Sequence, residues 1–322
     1  MKVCTFGELL IDVTPYGVSD KGYPVSEFNP GGAPANVAVA LVNLGVDASF
    51  IGQVGDDHWG HFLKSVLDDK KVDTEGLLLN KKYLTTLAMV NLAENGERSF
   101  SFYRKDGADV MIEMNQKFKD KIDDADVFHL GSVSMSDEPS RSTSFDCLNY
   151  AKTKQKLISY DPNLRELLWR DLSDAKRQIL KGMQYADIVK VSEEELFFLT
   201  QEKDDAKAAQ SLMDTYPIQI LLVTYGAHGC AVCSHHQFSK VEPFKVNAID
   251  TTGAGDGFFG AFLAKVLKSK LKLADISHEK LVSYARFANA CGAIATTKKG
   301  AIGALATEDV VEPSATTALD PV

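Results

Sequence analysis

Two carboxylates bracket a run of small residues in Asp250-Thr251-Thr252-Gly253-Ala254-Gly255-Asp256, a spacing that suits phosphoryl transfer. Small residues let the backbone turn tightly, so successive N–H groups converge at a helix start, where the dipole is positive. Phosphate is the usual guest of such a cradle. Asp256 lies within reach of it, and a carboxylate there can accept the proton of a hydroxyl that attacks a phosphoryl group. Residues 244–249 read as a strand leading into this loop, and an apolar helix starts near Gly257 and runs to about Leu271. The same residues also admit a reading without a ligand, in which Thr or Asp caps the helix and the glycines only make the bend.

Gly255-Asp256-Gly257-Phe258-Phe259-Gly260 also matches the dinucleotide fingerprint G-x-G-x-x-G, which would make the chain an oxidoreductase. The context opposes it. After the helix come Asp275 and more helical sequence from His278, with no second strand to carry the ribose-binding acid of a βαβ unit.

Other polar residues stand where a crevice would need them. Asp12 ends an extended run that begins at Lys2, and in an open α/β sheet the carboxyl ends of strands line the ligand site. Gly31-Gly32-Ala33-Pro34-Ala35-Asn36 opens an apolar helix, with Pro34 in the first turn, where its missing N–H is harmless. Asn36 is an amide in an apolar stretch, so it needs a hydrogen-bond partner, and a polyol could be one. Arg165 follows a strand end in Asp161-Pro162-Asn163-Leu164-Arg165, which is equally a good turn. Ser192-Glu193-Glu194-Glu195 has the form of a capping box, and Glu195 could also hold magnesium through waters. Thr224-Tyr225-Gly226-Ala227-His228-Gly229 follows another strand, its glycines allowing a nucleotide to approach.

The elements that position these residues follow from hydrophobic spacing. Residues 48–54, 127–130, 157–160, 188–191 and 218–223 read as strands separated by amphipathic helices, the pattern of a mostly parallel sheet covered on both faces. Residues 13–24 lack helical periodicity and read as a turn-rich excursion. Two extended runs, 87–93 and 99–104, flank Asn95-Gly96, a strong hairpin signal, and a hairpin between helices suggests a lid. Phe102 and Arg104 fall on one face of it and could close over a polar substrate, or could serve an exposed edge. Asp56 or Asp57 is a sufficient N-cap for the helix after 54.

The chain has 322 residues, 45% hydrophobic and 25% charged, enough for one large core or two modest ones. A net charge of −9 opposes nucleic-acid binding and favours a small substrate. No apolar run reaches the ~20 residues of a membrane span, and the first residues read as a strand rather than a leader, so the expected compartment is the cytoplasm. Cys4, Cys147, Cys230, Cys233 and Cys291 are an odd set, unlike a disulfide framework. Cys230 and Cys233 have C-x-x-C spacing with His235 and His236 nearby, yet read as one strand whose alternate residues face opposite ways, which disfavours a zinc or redox site.

Along nearly its whole length the chain resembles the ribokinase-like family of sugar kinases, and within it the fructokinases. The resemblance rests on residues 31–39 and 250–256, which look like the family's two signatures, and on Phe102-Tyr103-Arg104, residues 159–165, Ser192 to Glu195 and residues 287–293. It implies a Rossmann-like α/β domain over 1–307, with helices on both faces of a mostly parallel sheet. It also implies a discontinuous β lid at about 13–30 and 85–105, and a tail at 308–322. By carry-over, Asp256 would be the base, and the N–H groups of Gly253, Ala254 and Gly255 the anion hole. Asp12, Gly32, Asn36, Phe102, Arg104 and Arg165 would contact sugar. ATP would lie against Thr224, Gly226, Gly229 and Asn289, with Lys190 and Glu195 near its phosphates and magnesium. A potassium loop would fall at Asp250, Thr252, Ala295, Lys298, Gly300 and Ala304, mostly through backbone carbonyls. Relatives commonly carry Asn where this chain has Ser192, though Glu195 is kept. The expected activity is ATP-dependent phosphorylation of fructose at its 6-hydroxyl, the nearest alternative being a 2-keto-3-deoxygluconate kinase. Apolar exposed positions on the lid would make it a homodimer surface.

Overall fold

Segments such as Val-Phe-His-Leu-Gly at 127–131 and Ile-Val-Lys-Val at 188–191 are buried throughout, which only a sheet covered on both faces allows. The computed structural model describes residues 1–92 and 98–310. Strand β1 (Lys2–Phe6) leads to the hairpin β2 (Leu10–Val18) and β3 (Pro24–Gly31), which returns through α1 (Ala33–Asn43) to β4 (Asp47–Gly55). Helix α2 (His58–Asp69) and β5 (Leu77–Asn80) follow, then β6 (Leu87–Leu92) and β7 (Arg98–Tyr103). Helix α3 (Gln116–Asp123), β8 (Val127–Gly131), α4 (Ser140–Thr153), β9 (Leu157–Asp161), α5 (Leu172–Met183) and β10 (Ile188–Ser192) alternate next. Helices α6 (Glu193–Thr200) and α7 (Asp205–Thr215) precede β11 (Ile220–Thr224) and the hairpin β12 (Cys230–Ser234) and β13 (Gln237–Val241). Helices α8 (Ala254–Lys268) and α9 (His278–Ala295) come last among the longer elements.

The large sheet runs β13-β12-β11-β10-β9-β8-β1-β4-β5, parallel from β11 to β5 with an antiparallel edge at β12 and β13. Buried side chains of α1, α2, α8 and α9 form the core on one face, and those of α3 to α7 the core on the other. The small sheet runs β3-β2-β6-β7, so the lid is assembled from two separate stretches of chain. The expected Asn95-Gly96 turn lies outside the described residues, as does the tail from residue 311.

Cys230 and Cys233 belong to opposite cores, so their thiols cannot meet across one site. All five cysteines are buried and free, and among the described residues no cluster of acids, His and Cys could hold a metal ion.

Four expectations need correction. Residues 245–249 form no strand, and Phe244 makes only an isolated bridge. Their alternation finds no partner strand; instead the N–H groups of Ile249 and Asp250 donate to the Thr296 carbonyl at 2.7 and 3.1 Å, satisfying the C-terminus of α9. The extended run from Lys2 to Val13 is broken at Gly7, where the chain leaves the large sheet, so Asp12 sits within lid strand β2 rather than at a strand end. Residues 13–24 belong largely to the β2–β3 hairpin rather than to a loose excursion. Helix α8 begins at Ala254, ahead of Gly257, and ends at Lys268. After α8 the chain goes directly to α9 without a strand, which removes the βαβ unit a dinucleotide site requires.

Candidate active site

A cleft of about 610 Å³ opens between the lid and the start of α8, lined by Asp12, Asn36, Phe102, Arg165, Lys190, Asp250, Gly253, Gly255 and Asp256, among others. Its floor is the residue 250–256 loop. Gly253 caps α8 at φ 76°, and a Cβ there would lie 2.8 Å from that of Ala301, so glycine is required twice over. The Ala254 N–H turns back to the Thr251 carbonyl at 3.2 Å. Those of Gly253 and Gly255 have no acceptor among the described residues, which leaves them to meet an anion at the positive end of α8. Asp250 accepts from Thr252 N–H at 3.0 Å, Thr252 Oγ1 at 2.7 Å and Gly300 N–H at 3.1 Å, tying the cradle to the 298–300 turn.

Asp256 stands in the first turn of α8, and its Oδ2 accepts from Asn36 Nδ2 at 2.7 Å. The buried amide in the first turns of the apolar helix α1 thus finds a protein partner. Burial, and then the charge of Asp161, push the Asp256 carboxyl up to about 6, against the opposing pull of Asn36, Lys190 and Arg165. An ionised Asp256 is therefore a stronger base than an exposed aspartate while still charged at neutral pH. Asp12 faces the same cleft from the lid, its carboxyl also raised to about 6 by burial, with Arg165 pulling it down. Gly32, at φ 121°, would place a Cβ 2.3 Å from the Glu8 carbonyl, so it is a close-approach position as well as a helix cap.

Lys190 reaches from β10 to the same point. Its Nζ lies 2.8 Å from Asp161 Oδ2 and 3.3 Å from where a Cβ on Gly255 would sit. Burial works against its charge, but Asp161 and Glu195 outweigh it, so the ammonium stays protonated. Glu195 completes the capping box with Ser192, accepting from Ser192 N–H at 2.8 Å, and its other oxygen accepts from Leu164 N–H at 2.6 Å. It thereby clamps the turn that carries Arg165, and does not itself line the cleft.

Other expected residues are gathered elsewhere. Arg104 lies just past β7 and is not part of the cleft lining. Its Nε pairs with Asp109 at 2.7 Å, Nη1 with Ser136 Oγ at 2.8 Å and Nη2 with the Val133 carbonyl at 3.3 Å. Thr224, Gly226 and Gly229 come together where β11 turns into β12, and Asn289 of α9 donates to the carbonyls of Val241 and Glu242 at 3.2 and 3.0 Å. This second group stands outside the cleft lining. Ala295, Lys298 and Gly300 follow one another at the end of α9 and its turn, of which only Gly300 lines the cleft.

Glu8, Asn29, Asn163 and Lys299 also line the cleft and were not singled out from sequence. Glu8 alone carried a local sign, an acid within the apolar run Phe6 to Leu10.

A family model described as the pfkB family carbohydrate kinase matches residues 1–308. The chain is 45% identical over 313 residues to probable fructokinase-4 of Arabidopsis thaliana, covering 96% of this chain and 95% of that one. Among solved structures it is similar to a fructokinase with bound ATP from Xylella fastidiosa, with a TM-score of 0.88, 33% identity and 97% of each chain covered. A fructokinase from Vibrio cholerae O395 with fructose, ADP and calcium bound gives a TM-score of 0.85, also at 33% identity over 97% of each chain. An anion cradle with a hydrogen-bonded carboxylate, beneath a lid built from two stretches of chain, therefore sits in a match that spans the chain nearly end to end, and the chain belongs to the pfkB family of carbohydrate kinases.

Proposed function

We propose that this protein transfers the γ-phosphoryl group of ATP to the 6-hydroxyl of fructose, with Asp256 as the base. The observation that carries the reading is the position of the Asp256 carboxylate, hydrogen-bonded to Asn36 beside the free N–H groups of Gly253 and Gly255. Its support comes from the fructokinases similar to the whole chain, one holding ATP and another fructose with ADP.

The sugar lies between lid and floor, against Asp12, Gly32, Asn36, Phe102 and Arg165. Asp256 accepts the proton of the attacking hydroxyl. Gly253 and Gly255 N–H groups, with Ala254 at the same helix start, stabilise the charge of the transferred group, and the Lys190 ammonium adds to them. The nucleotide extends over Thr224, Gly226, Gly229 and Asn289. Positioning and fixed dipoles supply most of the rate, and the lid excludes water that would otherwise take the phosphoryl group. Arg104 serves from behind, holding the lid root rather than touching sugar.

Asp161 Oδ1 is buried without a partner, and both Glu195 oxygens already accept from backbone. These residues fit a hydrated magnesium carried on the nucleotide better than a protein-caged ion. When bound, magnesium neutralises charge on the phosphates. Potassium fits the backbone carbonyls of Asp250, Thr252, Ala295, Lys298 and Gly300, whose loops Asp250 holds together.

The cleft places the acids Glu8, Asp12, Glu27, Asp250 and Asp256 around the sugar, which favours a neutral ketose over 2-keto-3-deoxygluconate. ADP release with fructose, 2-keto-3-deoxygluconate, ribose and adenosine tests this directly. Fructose should give the highest kcat/KM, and a preference for the keto acid would overturn the substrate assignment.

The outer lid exposes Tyr16, Val18, Tyr23 and Tyr103, a surface suited to a second copy of the chain. Sedimentation should return the mass of two chains, and a monomer at micromolar concentration would refute it. No helix among the described residues is long and apolar enough to cross a membrane. The free thiols fit the reducing cytoplasm.

A further inference from the structure

Glu8 occupies the loop between β1 and β2, is 5% exposed and lines the cleft. One of its oxygens has a clear structural task. Oε1 accepts from the Ala33 N–H at 3.1 Å, satisfying a donor at the start of α1. The other, Oε2, is buried and has no hydrogen-bond partner among the described residues. A glutamine could perform the capping task alone, so the cap does not account for an acid. A buried carboxylate oxygen without a donor is unfavourable unless a ligand supplies one.

Among the described residues no side chain supplies such a donor. Arg104 is close enough to influence Glu8 electrostatically, yet each of its nitrogens already donates to Asp109, Ser136 or the Val133 carbonyl, and none of them bonds Glu8 Oε2. Asp109, the other charged group that acts on Glu8, is itself an acceptor of the Arg104 and Thr86 bonds. Asp12, four residues on and also in the cleft, is an acid too. The missing donor must come from the cleft.

We propose that Glu8 Oε2 accepts a hydrogen bond from a hydroxyl of the bound sugar, making Glu8 a residue that selects a neutral polyol. The inference rests on the fructose reading above and deepens it. It puts a carboxylate acceptor at the place where the sequence led to an arginine donor, with Arg104 standing one layer behind. Burial raises the Glu8 carboxyl to about 7, with its own backbone N–H and then Arg104 pulling it down, so acceptance from sugar strengthens as pH rises through that value.

Calorimetric titration of fructose in the presence of ADP tests the proposal, with wild type compared with Glu8→Gln. The variant keeps an oxygen for the Ala33 N–H and replaces the free one by a donor. Fructose affinity should fall by about ten- to hundredfold, the loss of one hydrogen bond to a charged group. ADP affinity should not change and Tm should not fall, which a merely structural role for Glu8 would not predict. In wild type, fructose affinity should also rise between pH 6 and 8, and the part of that rise centred near 7 should be lost in the variant, leaving only what Asp12 and Asp256 contribute near 6. Wild-type fructose affinity retained by Glu8→Gln, or a wild-type affinity flat across that range, would overturn the role of Glu8 and leave the fructose reading standing. Failure of wild type to bind fructose at any pH would instead overturn the fructose reading, and the proposal with it.

Discussion

Among the described residues two ion pairs are deeply buried, Arg104–Asp109 at the root of the lid and Lys190–Asp161 beside the anion cradle, and they are alike in burial but not in saturation. In the first, side chains are 7% and 1% exposed, and in the second 8% and 3%. Arg104 uses three donors on three partners, and Asp109 accepts from both Arg104 and Thr86. Lys190 has Asp161 as its hydrogen-bond partner, and Asp161 Oδ1 has none. A set of bonds in which each guanidinium nitrogen and both carboxylate oxygens have a partner holds structure together. An open set at the edge of a cleft keeps bonding capacity in reserve. Burial of charge is thus a poor guide to function by itself; unspent donors and acceptors are a better one.

The comparison can be broken by removing one cation at a time. Arg104→Met strands Asp109 in the core and frees the end of β7 from the 133–136 segment. It should destabilise the fold by about 3–5 kcal/mol, read from the urea midpoint. Unchanged stability with weakened sugar binding would return Arg104 to the cleft.

Lys190→Met should act mainly on rate. Loss of one charge at the developing anion should lower kcat on the order of 10²–10³-fold. Because Lys190 pulls the Asp256 carboxyl down, the acid limb of the pH–rate profile should also move to higher pH. A pure stability loss with normal kcat would make the two pairs equivalent and remove the distinction.

Asn36→Leu gives the smallest effect and the sharpest sign. The Asn36 amide favours the ionised form of Asp256, so its loss must raise the carboxyl further above about 6. The wild-type kcat/KM should rise with pH through about 6, and in the variant that rise should shift upward by less than about one pH unit. A shift downward would contradict the bond as drawn.

Much of the site could be read in the sequence because it is local. Gly253, Gly255 and Asp256 share one turn, so spacing alone brings cradle and base together, and the Ser192–Glu195 box is a three-residue relation. The rest depends on contacts between distant segments. Arg104 looked like a cleft residue because strand alternation predicts a side, not a depth, and Ser136, which takes one of its donors, is 32 residues away. Glu8 was passed over because its capping partner, Ala33, lies 25 residues on, across a lid hairpin. Residues 245–249 carried a strand pattern that failed for want of a neighbour, a property of the fold and not of the segment. The second stretch of the lid was legible as extended runs at 87–93 and 99–104, but residues 13–24 read as a turn-rich excursion, and the parallel β2–β6 pairing that unites the two stretches was not legible.

The central claim is that Asp256 is the base. Its raised carboxyl also has a stability consequence. Folding favours the protonated form, so that contribution is full below pH ~3.8 and is lost as pH rises through about 6. At pH 8 the ionised group therefore opposes folding by about 1–3 kcal/mol, and Asp256→Asn should be at least as stable as wild type. The decisive measurement is ADP release with fructose at pH 8 alongside the thermal midpoint of Asp256→Asn. The account predicts turnover reduced on the order of 10³-fold or more with an equal or higher Tm. Near-normal turnover in a folded variant would contradict it.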